Sequence, residues 1–232
     1  LAPGLRVNYD RKDGSYNAIV SGGLANPTAA EQALKNSVLQ NQAYAARFSA
    51  WNVSGDATLS WKPTDSVLAY FTYARAFKSG GINLSGLPTL ADGVTPATAL
   101  ATVRPEKVDH FEFGLKSQWL DNRATVNLTV FRTDIEDYQA TVVNNAIGVV
   151  RGYLANVPSV RSQGVEVDFS LKPIERFDLY TNFAFTDARY LRFPDAPPPI
   201  ELSGGSISAV VASGGRLPGV SKFAVSFGGE YR

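Results

Sequence analysis

Few side chains of this chain are of types that could carry out chemistry. His110 is the single histidine and cysteine is absent, so thiolate nucleophiles, disulfides and thiolate metal sites are excluded. A catalytic or metal-binding histidine needs partners close by, and the sequence locates none for His110. Glu112 and Glu166 could act as an acid and a base, but each shares the polar side of its segment with a Lys or Asp. We interpret all three as structural residues and expect no enzyme activity, no metal site and no cofactor.

The segments that carry these residues alternate between apolar and polar positions. Alternation of this kind is typical of a strand with one apolar and one polar face. The apolar positions are Phe111, Phe113, Leu115 and Trp119 in one segment and Val165, Val167, Phe169 and Leu171 in the other. The segments that follow, 124–130 and 177–185, repeat the pattern. The sequence therefore predicts hairpins of long amphipathic strands.

Tight polar turns at 62–66, 120–123 and 172–176 join the strands in pairs, and long, weakly charged loops separate the pairs. The strands of each pair are roughly 14–17 residues long. Strands of soluble proteins have about 5–6 residues, and a strand needs about 9–11 residues to cross a membrane. This length favours an all-β, antiparallel, up-and-down transmembrane β-barrel over a soluble β-sandwich. We predict eight strands at 4–18, 49–62, 66–79, 105–119, 122–138, 159–172, 177–192 and 219–232.

The long loops would all lie at the extracellular end, because short turns of such barrels face the periplasm. These loops are 19–48, 80–104, 139–158 and 193–218. In the first loop, Thr28 and Glu31 fit a capping box, so we predict a short helix within 29–43. The last loop contains proline and glycine clusters and should hold no long regular element.

Composition narrows the possible partners. The formal net charge of +1 provides no basic field, so no nucleic acid partner is expected. No apolar run of about 18 residues appears, so no membrane-spanning helix is expected either. Trp61 and Trp119 lie beside turns, where indole rings would anchor at a membrane interface.

A set of ordered segments resembles the barrel of TonB-dependent receptors. Residues 67–83 contain a Phe-Lys-Ser-Gly-Gly run, and 104–117 contain Arg-Pro-Glu followed by Phe-Glu-Phe-Gly-Leu-Lys-Ser. The segments 161–166, 186–190 and 217–223 follow in the family's order and spacing. The resemblance extends over most of residues 50–232.

The resemblance implies a barrel of about 22 strands with an N-terminal plug in its lumen. Residues 1–232 would then form a partial barrel domain of about eight strands, without the plug and with further strands after it. The implied function is import of a scarce ligand, most often a ferric siderophore, across the outer membrane of a Gram-negative bacterium. The implied partners are outer-membrane lipid, lipopolysaccharide and the TonB–ExbB–ExbD complex.

Two other interpretations stay open from the residues alone. An even number of strands and the absence of a plug fit a complete eight-stranded barrel with a structural or passive role, whose interior side chains would fill. A soluble β-sandwich that binds a ligand would share the composition and the alternation.

Candidate ligand-binding residues follow from the resemblance and from position. An anionic iron chelate would favour cations and phenols at the extracellular end, where they could bind carboxylate or catecholate oxygens. The alternative is that they contact lipopolysaccharide or water at the rim. The candidates are Arg75, Lys78, Arg151, Tyr153, Arg161 and Arg192.

Overall fold

Eight long strands form one antiparallel sheet in the computed structural model, which describes residues 1–38, 40–90, 92–144, 151–198 and 209–232. The strands are β1 (Ala2–Ala18), β2 (Gln42–Thr64), β3 (Val67–Lys78), β6 (Glu106–Trp119), β7 (Ala124–Asn144), β8 (Arg151–Ile174), β9 (Phe177–Arg192) and β10 (Phe223–Tyr231). Two short strands between β3 and β6, β4 (Gly81–Ile82) and β5 (Thr102–Val103), form a small separate ribbon. The order in the sheet is β1-β2-β3-β6-β7-β8-β9-β10, so each long strand pairs with the next long strand along the chain. The predicted all-β, antiparallel, up-and-down arrangement is confirmed.

The alternation in sequence becomes two faces of the sheet. One register row carries only apolar side chains and defines the apolar face: Phe71, Phe113, Val130, Val165, Phe185 and Phe223. A row three positions nearer the short turns, on the opposite side of the sheet, defines the polar face: Lys116, Asn127, Asp168, Asn182 and Ser226. Because side chains alternate along every strand, the register that aligns one row fixes the other.

The sheet is open. β1 and β10 are its two edge strands and do not pair with each other. The described residues therefore do not form a closed eight-stranded barrel. No second large sheet packs against this one within the described ranges, so the β-sandwich interpretation is also wrong.

Several strands are longer than the sequence predicts. β2 begins at Gln42 rather than 49, and β7 and β8 occupy most of the predicted loop 139–158. Pro158 removes one ladder donor, and Asp137 opposite it has a φ of 55°. Pairing nevertheless resumes at Tyr138 and Val157, so proline interrupts this ladder without ending it. β10 starts at Phe223, later than the predicted 219.

The helix prediction is confirmed. Helix α1 runs from Ala29 to Val38, and a short 3₁₀ helix covers Thr98–Leu100. The Glu31 carboxylate accepts hydrogen bonds from the backbone N–H and the hydroxyl of Thr28, each at a distance of 2.8 Å. The Glu31 N–H in turn donates to Thr28 Oγ1. These bonds complete the capping box and lower the pKa of Glu31 below its usual value.

Among the described residues, no helix has the length and apolar character needed to cross a membrane. Of the predicted loop 193–218, residues 199–208 lie outside the described residues.

Candidate functional site

The segment 79–105, here called the inner segment, connects β3 to β6, and its described residues (79–90 and 92–105) lie against the polar face. Lys12 of β1 donates a hydrogen bond from Nζ to the carbonyl of Gly80 at a distance of 2.6 Å. Gln42, at the start of β2, exchanges two hydrogen bonds with the backbone of Leu87, at 2.7 and 2.9 Å. The segment is therefore bound to the first two strands as well as to the two that it connects.

Asn83 fixes the middle of the inner segment. Its side-chain Nδ2 donates to the carbonyls of Leu100 and Leu154, at 2.7 and 2.9 Å, and its Oδ1 accepts from the Leu154 N–H at 3.0 Å. The Tyr44 hydroxyl donates to the Asn83 carbonyl over 2.8 Å. A side-chain amide offers both a donor and an acceptor to one peptide edge. Asn83 thus joins β2, the inner segment and β8 at a position that is only 5% exposed.

Glu106 and Gln139 hold the two ends of the inner segment together. Glu106 Oε1 accepts from the backbone N–H of Gln139 at 2.6 Å and from Lys78 Nζ at 3.3 Å. The Gln139 side chain donates to the carbonyls of Ser79 and Arg104, at 2.9 and 3.0 Å. A buried carboxylate is costly unless it is paired and hydrogen-bonded, and Glu106 has both kinds of partner.

The unusual backbone of Asp137 belongs to the same joint. Arg104 donates from its guanidinium to Asp137 Oδ1 over 2.6 Å, and this bond raises the pKa of Arg104. The Asn156 side chain accepts from the Arg104 N–H and donates to the carbonyls of Arg104 and Asp137, at 2.8, 3.0 and 2.7 Å. The end of the inner segment is therefore bound to β7 and β8 at the irregular step of their ladder.

A small apolar cluster lies beneath the segment, on the polar face of the sheet. Leu87 is 1% exposed, and Ala101 and Tyr44 are buried with it. The partly buried residues packed around them are Tyr16, Ala46 and Leu100. The inner segment is consequently a packed part of the wall.

His110, Glu112 and Glu166, the residues considered above for catalysis or metal binding, lie on the polar face between the inner segment and the short turns. The Tyr70 hydroxyl donates to Glu112 Oε1 over 2.6 Å. His110 lies 3.4 Å from Glu112 Oε2 and 2.8 Å from the hydroxyl of Thr133. Glu166 lies on the same face and is exposed. No group of three or more His, Cys, Asp or Glu side chains within the described ranges is placed to hold a metal ion.

Three of the six predicted ligand-binding residues occupy different faces. Lys78 points to the polar face, where Glu106 holds its ammonium group. Arg75 and Arg161 lie on the apolar side of the sheet, beyond its apolar row, where each pairs with an aspartate, at 3.7 and 2.6 Å.

The other three lie near the strand ends. Arg151 begins β8. Tyr153 pairs with Val142 and is partly buried, while Arg192 is exposed at the end of β9. The structure places Lys78 on the opposite face of the sheet from Arg75 and Arg161, and the role of all six residues in ligand binding stays a prediction.

Sequence reasoning did not identify the residues that shape the polar face. Asn83, Glu106 and Asn156 stand in or beside the family-like segments, but the sequence assigns them no role. Gln139 had no distinguishing signal. Their importance depends on partners that are 17 to 71 positions away along the chain.

Comparison with known proteins gives a consistent result. The family model described as "TonB dependent receptor-like, beta-barrel" matches residues 1–232. PiuA of Acinetobacter baumannii, named a probable TonB-dependent siderophore receptor, is 22% identical over 190 residues, which are 82% of this chain and 24% of PiuA. The ferric-pyoverdine receptor PbuA of Pseudomonas sp. strain M114 is 26% identical over 122 residues, 49% of this chain and 14% of PbuA. The ferric yersiniabactin uptake receptor FyuA of Yersinia pestis superposes with a TM-score of 0.64 at 15% identity, over 98% of this chain and 28% of FyuA. The chain thus spans between 14% and 28% of the length of these relatives.

Proposed function

The chain belongs to the TonB-dependent receptor-like β-barrel family, and from this membership we propose that the protein is an outer-membrane receptor that imports a ferric siderophore. The observation that carries the proposal is the family match along all of residues 1–232, with relatives named as siderophore receptors. Energy would come from TonB with ExbB and ExbD. A barrel of about 22 strands, with a plug in its lumen, is part of the same proposal.

The two faces of the sheet support a membrane location. Trp51, Phe113 and Phe227 are 71%, 49% and 75% exposed on the apolar face. Soluble monomers rarely expose contiguous apolar surface of this extent, whereas a barrel wall turns such a face to lipid. The opposite face, with its Lys, Asn and Asp side chains, would face the lumen.

The inner segment supports the ligand side of the proposal. It covers the polar face at the end opposite the short turns, which would be the extracellular end. A ferric chelate entering the lumen from outside would pass along this segment. Lys78 is the predicted ligand-binding residue that the polar face presents there, and we propose it as the first of the six to test.

Iron uptake in cells tests the function directly. Deletion of the gene should reduce import of at least one ⁵⁵Fe-loaded siderophore under iron limitation, and a plasmid copy should restore it. The same import should disappear in a strain without TonB. Unchanged import of every ferric chelate after deletion would remove iron from the proposal, and import that continues without TonB would remove the energy source.

A further inference from the structure

The inner segment exposes large apolar side chains on the polar side of the sheet. Leu84, Leu90 and Val94 are 48%, 54% and 56% exposed. Leu87, which lies among them in sequence, is only 1% exposed and packs against the wall with Tyr44. The segment therefore already has its apolar anchor, and the three exposed side chains add apolar surface that the wall does not use.

The turn between Leu90 and Val94 is held in a fixed shape by hydrogen bonds. The Leu90 N–H donates to the Thr95 carbonyl at 2.8 Å, and the Gly93 N–H donates to the Leu90 carbonyl at 3.0 Å. The Asp92 carboxylate accepts from the N–H groups of Val94 and Thr95, at 3.0 and 2.9 Å. A ligand that contacts this turn loses little free energy to ordering it, because the turn is preorganised.

Leu84 brings apolar atoms onto the wall itself. Its two methyl carbons lie 3.3 and 3.4 Å from the position that a Cβ on Gly14 of β1 would take, and a methyl carbon of Ile82 lies 3.5 Å from it. Because Gly14 has no side chain, apolar atoms of the inner segment lie directly on the first strand.

The cations that border the inner segment are already engaged. Lys78 and Arg104 each form an ion pair with a carboxylate, at 3.3 and 2.6 Å. Lys12 donates to the backbone of the segment at 2.6 Å. Apart from Arg104, Asp92 is the only charged residue in the sequence of the segment. This surface therefore carries little net charge, in addition to being apolar.

The charge of a ferric chelate depends on its donor groups. Three hydroxamates cancel the charge of Fe³⁺, whereas three catecholates, each doubly deprotonated, leave a strongly anionic complex. Removing such an anion from water is costly unless cations pair with it. A chelate with a neutral iron centre needs only hydrogen bonds, which the ammonium groups of Lys12 and Lys78 can donate.

We propose that Leu84, Leu90 and Val94 bind the alkyl or acyl chain of an amphiphilic ferric siderophore whose iron centre carries little net charge. The inference rests on the proposed function and names the class of chelate that the receptor imports. Because the free energy of apolar contact grows with the area removed from water, affinity should increase with the length of the chain.

The test measures binding of defined ferric chelates to the whole receptor purified in detergent micelles, by quenching of its tryptophan fluorescence. Ferrioxamine B acylated on its amine with an acetyl, butanoyl or hexanoyl group provides three trishydroxamates that differ only in chain length. Ferric enterobactin provides a strongly anionic triscatecholate.

The unmodified receptor should bind the hexanoyl chelate about tenfold more tightly than the acetyl chelate, with the butanoyl chelate between them and ferric enterobactin the weakest. Equal affinity for the three trishydroxamates, or no binding of the hexanoyl chelate, would overturn the proposal. Binding of ferric enterobactin as tight as that of the hexanoyl chelate would also overturn it. These measurements do not depend on how a variant folds.

Two variants of the inner segment locate the binding surface. The site variant combines Leu84→Ser, Leu90→Ser and Val94→Ser. The control changes three exposed polar residues of the same segment and combines Ser85→Ala, Thr98→Ala and Thr102→Ala.

The site variant should bind the hexanoyl chelate about tenfold more weakly while its affinity for the acetyl chelate changes little. The control should keep the full preference for the longer chain. A preference that survives in the site variant would show that these side chains do not bind the chain, and the proposal would be wrong.

Failure of this inference is distinguishable from failure of the proposed function. If gene deletion reduces TonB-dependent import only of siderophores that lack an apolar chain, the proposed function stands and this inference fails. If gene deletion changes the import of no ferric chelate, both fail.

Discussion

At the scale of single residues, the polar face depends on side chains that satisfy buried backbone groups. Asn83 and Gln42 each supply both a donor and an acceptor to a distant segment. Glu106 is a buried carboxylate between a backbone N–H and an ammonium group. Such residues tie strands together, and their loss leaves buried peptide groups without partners.

Asn83→Ala should loosen the inner segment without unfolding the sheet. The substitution leaves the Leu154 N–H and the carbonyls of Leu100 and Leu154 without this amide, and each unsatisfied buried group costs about 1–3 kcal/mol. Amide hydrogen exchange in residues 81–103 and at Leu154 should accelerate, while exchange in β9 and β10 changes little. Asn26→Ala, at an exposed position, is the matched control. Unaltered exchange in both variants would show that Asn83 does not hold the segment.

At the scale of elements, the seating of the inner segment needs a glycine where β3 ends. A Cβ on Gly80 would overlap the Phe48 ring and the carbonyl of Val103, whereas a Cβ on Gly81 would meet its nearest neighbour at an ordinary 3.6 Å. Packing therefore requires a glycine at position 80 but not at position 81.

Gly80→Ala should displace the inner segment, and Gly81→Ala should be tolerated. Overpacking of a close-packed site typically costs about 1–3 kcal/mol. Limited proteolysis within residues 84–100 reports the displacement, and the two variants serve as each other's comparison. Equal proteolysis rates for both would contradict the close approach at Gly80.

How far the sequence predicts these elements depends on the range of the interactions. The capping box of Thr28 and Glu31 joins residues three apart, so α1 could be predicted. The continuation of β7 and β8 past Asp137 and Pro158 could not, because Asn156 and Arg104 stabilise it from elsewhere in the chain. Local signals marked that step as a strand end, and tertiary contacts overrode them.

At the scale of the whole molecule, one open sheet separates two environments. Its apolar face exposes large side chains, and its polar face holds the inner segment. Arg161, Arg189 and Arg216 are neighbours across the sheet on its apolar side, at the end opposite the short turns. Lipid on one side and a wet lumen on the other would explain all three features.

Adjacent residues on β7 should report opposite environments in the reconstituted receptor. Val130→Cys places a spin label on the apolar face, and Thr129→Cys places one on the polar face. The label at Val130 should collide mainly with dissolved oxygen, which concentrates in lipid, and the label at Thr129 with a water-soluble nickel chelate. Equal accessibility of both labels to both reagents would refute the assignment of the faces.

The sequence by itself determined the strands, their two faces and their sequential order. Those properties follow from alternation along each strand and from short turns that force neighbours to pair. The tertiary structure decided that the inner segment folds back on the polar face, that Lys78 lies on the opposite face from Arg75 and Arg161, and that Arg161, Arg189 and Arg216 become neighbours. These outcomes depend on register between strands and on contacts between residues far apart in sequence, such as Asn83 with Leu154, and no local pattern specifies either.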